Sequence, residues 1–534
     1  MNKLKVFSIL ILISAGLVFA DDPGTITLKT TSGDLQGTEQ DGIISFKGIR
    51  YAQPPIGERR WQPPLSFASN DTADATKLGP SCIQQFAYAS ANETRQLLNN
   101  PPPPEDEDCL YLNVWAPSLS DSGTESSPEK KPVVVWIYGG GLTFGTASLA
   151  LYDGKSLVES QDIVFVSFNY RTNVFGFPAA PELPVAGNNL GLMDQDLALD
   201  WVQRNIEKFG GDPEKVTIMG QSAGGLSIAT ALTRYAGNNT AKPPFQAAIM
   251  FSANIGVGLL SATPEPFNNF STTVGCTQEP GDERLACLKN VSADVISGYL
   301  NGPEAKLFSS VTTDNVTVFG DPIKRIGANQ SARVPLMLGN TKDEGLLFQF
   351  ESGAKTLGDI LQSLFGEAAP DEELVRGAYP GLNDTQMIPV IASDLIYQCP
   401  ANLWANATVA SGMTDVYRYI YGPKSNFIPG FEGTPHAAEL PILFGYLNQS
   451  TAKPEELELS RTFQTVIGNF IKNPTGSDES LPAPGWAKYG EDGNLAKLAF
   501  EGNVEMENIA QMVKSSDVDG PCKLWNEILL AMSL

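Results

Sequence analysis

A strand-like run and a helix-like run meet at a sharp break near the middle of this 534-residue chain. Residues 216–219 are mainly apolar, the run stops at Gly220, and a helix-like run begins at Ala223. Between them lies Gly-Gln-Ser-Ala-Gly, centred on Ser222, which fits the G-x-S-x-G nucleophile elbow in the strand–turn–helix context that it requires. The turn favours glycine two residues before and after the serine, because a side chain there would clash. The stretch therefore predicts a nucleophilic Ser222 at a helix N-terminus, where developing negative charge is favoured.

The motif also arises by chance in long chains, so a base and an acid must accompany it. The chain has one histidine, His436, which is the base if the mechanism is of the Ser-His-acid type. A lone histidine is otherwise more often a structural residue, but its loop position downstream of the serine favours the catalytic interpretation. In the serine, acid, histidine order the acid lies between these two residues. Asp343 and Glu344, which follow an apolar run at 335–339, both satisfy this condition, and the spacing does not separate them.

A third requirement is a set of donors for an oxyanion. Gly139, Gly140 and Gly141 follow the apolar strand predicted at 133–137. The backbone N–H groups of such a loop bind an oxyanion together with the N–H of the residue after the nucleophile, here Ala223. One donor of this kind contributes about 3–4 kcal/mol in a transition state. An ordinary glycine turn is the alternative, and the run of three glycines favours the oxyanion role.

Apolar runs alternate with helical patterns along much of the chain. We predict strands at 107–115, 133–137 and 163–168, and a helix with apolar positions from 197 to 206. Continuous apolar strands are typical of a sheet covered on both faces, so the pattern predicts an α/β fold with a mostly parallel sheet. The length would allow three or four domains, but no linker or composition shift divides residues 21–534. We therefore predict a single large domain.

The first twenty residues have the pattern of a secretory signal. Lys3 and Lys5 precede an apolar stretch at 6–19, and small residues end at Ala20, the predicted cleavage position. A membrane anchor is the alternative, but the stretch is short for a bilayer span. The sequence therefore predicts a secreted protein without an integral membrane segment.

The cysteine count agrees with secretion. An even number of cysteines in a secreted chain indicates disulfides, although spacing alone leaves fifteen connectivities open. The chain has no C-x-x-C pair, which argues against zinc, and we expect neither a metal nor an organic cofactor. The six cysteines are Cys82, Cys109, Cys276, Cys287, Cys399 and Cys522. Asn-x-Ser/Thr sequons, which are glycosylation candidates in a secreted chain, occur at Asn70, Asn92, Asn238, Asn269, Asn290, Asn315, Asn329, Asn383, Asn406 and Asn448.

The charge of the chain restricts its partners. Lys and Arg number 36 against 60 Asp and Glu, which gives a formal net charge of −24. A surface of this sign repels nucleic acid and anionic membranes. We expect a small-molecule or lipid ester as the partner and no nucleic acid, and the sequence does not indicate an oligomeric state.

Two segments carry a resemblance to a known family. Residues 107–114, Glu-Asp-Cys-Leu-Tyr-Leu-Asn-Val, and residues 209–224, Phe-Gly-Gly-Asp-Pro through Gly-Gln-Ser-Ala-Gly, resemble the signatures of the type-B carboxylesterase/lipase family. This family includes cholinesterases, fungal lipases and juvenile-hormone esterases. The glycine loop, residues 169–171, residues 342–345 and His436 follow in matching order, so the resemblance spans nearly the whole mature chain.

The resemblance implies an α/β-hydrolase fold with a long, mostly parallel central sheet flanked by helices. It implies Ser222 as nucleophile, Glu344 as acid and His436 as base, and it places Ser252 where the family has a buried serine, although Phe251 and Ala253 differ from the usual neighbours. The implied oxyanion donors are the N–H groups of Gly140, Gly141 and Ala223. The implied disulfides are 82–109, 276–287 and 399–522.

The expected activity is hydrolysis of carboxylic esters by a secreted serine hydrolase. Gln221 stands where cholinesterases carry Glu, and Asn99 lies in about the place of their choline-binding tryptophan, so a choline esterase is less expected. Leu142 stands where many members have phenylalanine, so the resemblance does not define the pocket for the acyl group. A true lipase for long-chain acylglycerols or sterol esters is the main alternative. The 82–109 loop, if its cysteines pair, is either a lid or gorge wall or a surface loop without such a role, and the sequence does not decide between them. A catalytically inert, cholinesterase-like adhesion protein is the least expected.

Overall fold

One long β-sheet forms the centre of the fold. The computed structural model describes residues 24–119, 129–235, 242–255, 262–423, 432–476 and 481–532. The predicted signal at 1–20 and the sequon at Asn238 lie outside these described residues. The strands are β1 (Gly24–Thr30), β2 (Gly33–Gln40), β3 (Ile43–Arg50), β4 (Thr72–Asp74), β5 (Tyr111–Pro117), β6 (Lys131–Ile137), β7 (Val164–Phe168), β8 (Gly211–Gln221), β9 (Ala247–Phe251), β10 (Leu336–Thr341), β11 (Val416–Tyr421), β12 (Asn494–Leu498) and β13 (Ala510–Lys514).

The helices are distributed between and after the strands, and a π-helical turn, Asp394–Gln398, joins two of them. They are α1 (Ala91–Leu98), α2 (Lys155–Gln161), α3 (Asn173–Gly176), α4 (Leu190–Asn205), α5 (Ala223–Arg234), α6 (Glu265–Thr273), α7 (Asp282–Lys289), α8 (Ala293–Leu300), α9 (Pro322–Gly327), α10 (Gly345–Ser352), α11 (Leu357–Phe365), α12 (Glu372–Ala378), α13 (Asp384–Ser393), α14 (Cys399–Ala410), α15 (Leu440–Leu443), α16 (Pro454–Lys472) and α17 (Cys522–Met532). Within the described ranges, none is long and apolar enough to cross a membrane.

The sheet order confirms the predicted α/β-hydrolase class. The strands follow the order β1-β2-β3-β5-β7-β6-β8-β9-β10-β11-β12-β13, and β4 pairs with β2. Neighbours from β7 through β6 to β12 are parallel, whereas the pairs at both ends of the sheet are antiparallel. The centre is therefore the parallel part, and its strands β7 and β9 are buried along their whole length, as their continuous apolar sequences require.

Two loops of the parallel part meet at one edge of the sheet. The strand β9 lies between β8 and β10, with which it pairs in parallel. The residues after β8 and after β10 therefore emerge at the same edge, where ligands of open α/β sheets bind. Ser222 follows β8 and Glu344 follows β10, so the topology brings these two residues into one region.

The strand predicted at 107–115 begins later than expected, at Tyr111. The side chain of Glu107 forms a buried ion pair with Arg60, with 2.6 Å between Oε1 and Nε. The strand therefore starts after the residue that forms this ion pair. The apolar periodicity of the segment did not reveal this contact, since Arg60 is distant in sequence.

Three disulfides join the cysteines in the pairing that the resemblance implies: Cys82–Cys109, Cys276–Cys287 and Cys399–Cys522. The first closes a loop that contains α1, and the last joins α14 to α17. Closing loops of these lengths restricts the unfolded chain and contributes about 3–5 kcal/mol each in the chain-entropy model.

Candidate active site

Ser222 occupies a strained turn between β8 and α5. Its backbone has φ 57° and ψ −120°, and its N–H donates to the carbonyl of Phe251 at 2.9 Å. A Cβ added to Gly220 would lie 2.7 Å from the carbonyl carbon of Gly224, and one added to Gly224 would lie 2.0 Å from the oxygen of Ile137. These positions have no space for a side chain, which explains the glycines of the motif and the projection of the serine from the turn.

His436 is buried close to this turn. Its Nδ1 lies 2.5 Å from Oε2 of Glu344, and its Nε2 lies 3.0 Å from Nε2 of Gln221. Because Nδ1–H donates to the carboxylate, Nε2 carries the lone pair of the neutral imidazole. The imidazole therefore bonds Glu344 through Nδ1 and faces Gln221, the residue before Ser222, through Nε2.

Glu344 is fully buried and its two oxygens accept three hydrogen bonds. Oε1 accepts from the N–H of Thr341 at 2.6 Å and from the hydroxyl of Ser252 at 2.5 Å, and Oε2 accepts from His436. Ser252, placed here by the resemblance, has φ 45°, an uncommon value for a residue other than glycine. The strained serine therefore contributes to the position of the acid.

Asp343 has a different place in the geometry, although spacing alone did not separate it from Glu344. Its Oδ2 accepts from the N–H of Thr434 at 2.9 Å, and its own N–H donates to the carbonyl of Thr434 at 3.0 Å. Asp343 therefore ties the end of β10 to the loop that carries His436, while Glu344 contacts the imidazole itself.

The glycine loop after β6 lies against Ser222. A Cβ added to Gly139 would lie 2.9 Å from Cβ of Ser222, and one added to Gly140 would lie 2.3 Å from the oxygen of Phe144. Gly140 and Gly141 have φ values of 101° and 61°, which favour glycine. The sequence of the loop is therefore set by backbone geometry and by contact with the serine, and Ala223 begins α5 beside it.

Two residues near His436 escaped the sequence analysis. The ring of Tyr397 lies 4.8 Å from the imidazole, centroid to centroid, and it belongs to the π-helical turn before α14. No pattern in the sequence indicated a π-helix there. Glu439 is buried and lies three residues after His436. Residues at this spacing lie on the same face of a helix, so the sequence could have predicted that the two side chains are close.

Glu439 differs from the other buried acids of the site. Neither of its carboxyl oxygens has a hydrogen-bond partner among the described residues. Burial, followed by the charge of Glu344, raises the pKa of Glu439 from 4.5 to about 8, and His436 opposes this shift. Glu439 is therefore mostly protonated at neutral pH. Across the described ranges, no group of three or more His, Cys, Asp or Glu side chains is placed to hold a metal ion.

The parallel sheet, the serine elbow after β8 and the acid–imidazole pair define the class of protein as an α/β-hydrolase. The chain matches the model of the Carboxylesterase family over residues 24–378 and 382–519. It belongs to this family and is a carboxylic ester hydrolase.

Individual relatives agree with this assignment. A para-nitrobenzyl esterase from Bacillus subtilis (strain 168) is 34% identical over 505 residues, which cover 90% of this chain and 96% of that protein. An acetylcholinesterase from Bungarus fasciatus is 31% identical over 506 residues, which cover 87% of this chain and 81% of that protein. Among solved structures, a thermophilic PNB esterase matches with a TM-score of 0.73 and 29% identity, and the match covers 93% of this chain and 99% of that one.

Proposed function

We propose that the protein is a secreted esterase that acts through a Ser222–His436–Glu344 triad and an acyl-enzyme. The observation that carries this proposal is the hydrogen bond between Glu344 and His436 in the loop region beside the strained Ser222. Glu344 holds the tautomer in which Nε2 is the base and stabilises the imidazolium that forms during the reaction.

Each half-reaction moves one proton through His436. The hydroxyl oxygen of Ser222 attacks the ester carbonyl carbon while Nε2 takes its proton, and the carbonyl oxygen becomes an oxyanion. The N–H groups of Gly140, Gly141 and Ala223 are the proposed donors to that oxyanion. The intermediate then expels the alcohol, which takes the proton from Nε2. Water repeats the same sequence on the acyl-enzyme and releases the acid.

Turnover of a nitrophenyl ester by Ser222→Ala tests the nucleophile. We expect kcat to fall by about 10⁴–10⁶-fold, because the other parts of the site keep only residual catalysis. Ser227→Ala is the matched control, since Ser227 is a buried serine on α5 that bonds Gln195 rather than the imidazole. Near-normal turnover by Ser222→Ala would reject the proposed nucleophile.

The loop closed by Cys82–Cys109 is bonded to the neighbouring segment at residues 301–308. The guanidinium of Arg95 lies over the ring of Phe86, 4.5 Å from its centroid, and donates to Asn301 at 2.8 Å. Asn301 in turn donates to the carbonyl of Gln84 at 3.0 Å. Gln85 bonds the backbone on both sides of Leu307. Hydrolysis of an emulsified lipid commonly requires a lid to open. Because residues 84, 85 and 95 of this loop are bonded to the rest of the protein, the contacts favour a soluble ester as the substrate.

A chain-length series of nitrophenyl esters, assayed with and without emulsified triglyceride, separates the esterase from the lipase alternative. We expect the highest kcat/KM on dissolved esters and no acceleration at an emulsion. Acceleration on long-chain emulsion would favour the true lipase. Gln221 and the absence of tryptophan from residues 82–109 favour a general ester over a choline ester.

Secretion and glycosylation remain part of the proposal. The predicted signal and the three disulfides support an extracellular location. Among the described sequons, Asn269 is partly buried, and its side-chain oxygen accepts from the hydroxyl of Tyr299 at 2.6 Å. The exposed ones are Asn70, Asn92, Asn290, Asn315, Asn329, Asn383, Asn406 and Asn448. Mass spectrometry of the secreted protein should find glycans on members of the exposed group and none on Asn269.

A further inference from the structure

The side chain of Gln221 lies against the proposed base. Gln221 is the last residue of β8, is 3% exposed and precedes the nucleophile directly. Its Nε2 is 3.0 Å from Nε2 of His436. A Cβ added to Gly139 would lie 2.9 Å from its Oε1, so the carboxamide lies between the imidazole and the glycine loop.

The polarity of this contact follows from the other side of the ring. Nδ1–H of His436 donates to Glu344, so Nε2 of the neutral imidazole accepts. The group of Gln221 that faces it must therefore be the amide N–H, and the amide nitrogen of Gln221 is the atom that lies there.

We propose that Gln221 is a positioning residue whose amide N–H holds the Nε2 lone pair of His436 at rest and yields it to the Ser222 hydroxyl when an ester binds. The release to Ser222 rests on the proposed function, whereas the contact at rest exists whether or not Ser222 is the nucleophile. An amide donor serves the neutral imidazole and conflicts with the N–H of the imidazolium. Gln221 therefore favours the neutral base.

Other groups that face the imidazole are the same in every variant of residue 221. Glu344 bonds Nδ1, the ring of Tyr397 lies 4.8 Å away, and the carboxyl group of Glu439 interacts with the imidazole electrostatically when it is ionised. Three buried tyrosines interact electrostatically with Glu439, and burial raises the pKa of each: Tyr152, Tyr419 and Tyr421. Differences between variants of residue 221 therefore report the change at that position.

The lone histidine makes the test selective. Because the chain has one histidine, histidine-labelled protein purified through a histidine-free tag gives imidazole NMR signals from His436 alone. The pKa of His436 is measured by NMR in the free protein from about pH 5 to pH 9, and the midpoint of kcat/KM is measured over the same range.

Gln221→Ala opens space for water, which can accept from the imidazolium as well as donate to the neutral ring. We expect the pKa of His436 to rise by about 0.5–1 unit, the value of one lost bond to the neutral form. Gln221→Glu keeps the shape of the side chain but removes the donor and adds a negative charge, and we expect a rise of about 1–3 units. Gln195→Ala, which removes a buried amide bonded to Ser227, is the control and should leave the pKa unchanged.

An unchanged pKa in folded Gln221→Ala would overturn the proposal. If that variant does not fold, Gln221→Glu decides, and an unchanged pKa there would place residue 221 away from Nε2. Failure of the proposed function is a separate result, because it is seen as normal turnover by Ser222→Ala and leaves the NMR titration interpretable. An equal shift in the NMR and kcat/KM midpoints supports the contact at rest, because kcat/KM reports the free enzyme. The midpoint of kcat, measured over the same range, reports the ester complex: an unshifted kcat midpoint supports the release, whereas a shift equal to that of the free protein contradicts it.

Discussion

Glu344 and Glu439 are two buried glutamates that interact with the same histidine, yet their surroundings differ. Glu344 accepts from Thr341 N–H, Ser252 and His436. Glu439 has no hydrogen-bond partner among the described residues, and burial raises its pKa to about 8. Burial alone therefore does not make a catalytic acid. The donors that face a carboxyl group determine whether it holds an imidazolium as an ion or remains a neutral acid.

Among the variants that test this comparison, the largest effect should come from removing the charge of Glu344. In Glu344→Gln we expect kcat to fall by about 10³–10⁴-fold, because an amide favours the wrong tautomer of His436 and does not stabilise the imidazolium. Asp343→Asn is the matched control, since the neighbouring acid bonds Thr434 and not the imidazole. Steady-state kinetics of both variants tests the contrast, and an equal loss in the two would contradict the assignment of the acid.

Removing one donor from Glu344 should have a smaller effect. Ser252→Ala deletes the hydroxyl that lies 2.5 Å from Oε1 and leaves the other two bonds. We expect kcat/KM to fall by about 10–100-fold if the bond to the charged group is fully expressed in the transition state. Ser227→Ala, the buried serine on α5, serves again as control. A Ser252→Ala enzyme with unaltered kinetics would show that two donors are enough to position the acid.

The effect of Glu439 should appear in stability rather than in turnover. Its folded pKa is about 8 and its reference value is 4.5, so the native state holds a proton that the unfolded chain loses between these values. The stabilisation is full below about pH 4.5 and is lost as the pH rises to about 8, at no more than about 1.4 kcal/mol per pH unit.

The Glu439→Gln variant should not show this pH-dependent loss of stability, because an amide does not titrate. Urea unfolding at about pH 5 and pH 8 should show that the free energy of unfolding of the variant increases relative to that of the parent protein as the pH rises. We expect kcat to change by less than about 3-fold. A constant difference in the free energy of unfolding across this range would mean that Glu439 is ionised in the native state at neutral pH. Such a result would remove the contrast with Glu344.

The sequence was sufficient for those parts of the site that backbone rules determine. The elbow requires Gly220 and Gly224, and the fold class followed from alternating strands and helices, so both were predictable from local pattern. Asp343 and Glu344 were not separable by spacing, because which of two adjacent side chains faces the histidine depends on how the loop of Thr434 packs. The resemblance to a known family named Glu344, and in the structure Glu344 is the one of the two that bonds His436.

Other contacts had no local signal. The contact between the rings of Tyr397 and His436 depends on a π-helical turn that the apolar pattern does not indicate. The residues just before β5 include Glu107, which forms an ion pair with Arg60, a residue far away in the chain. Such contacts between distant segments are set by tertiary packing, and a single sequence carries no periodicity from which they can be derived.

Covalent labelling of the wild-type protein tests the central claim most directly. A fluorophosphonate reacts with a serine that an adjacent base activates, and peptide mass spectrometry identifies the labelled residue. We predict one phosphonyl group per chain, carried by Ser222, and a labelling rate that falls by about 10³-fold or more in Glu344→Gln. Labelling of a different residue, or no labelling of the folded protein, would contradict the proposed triad.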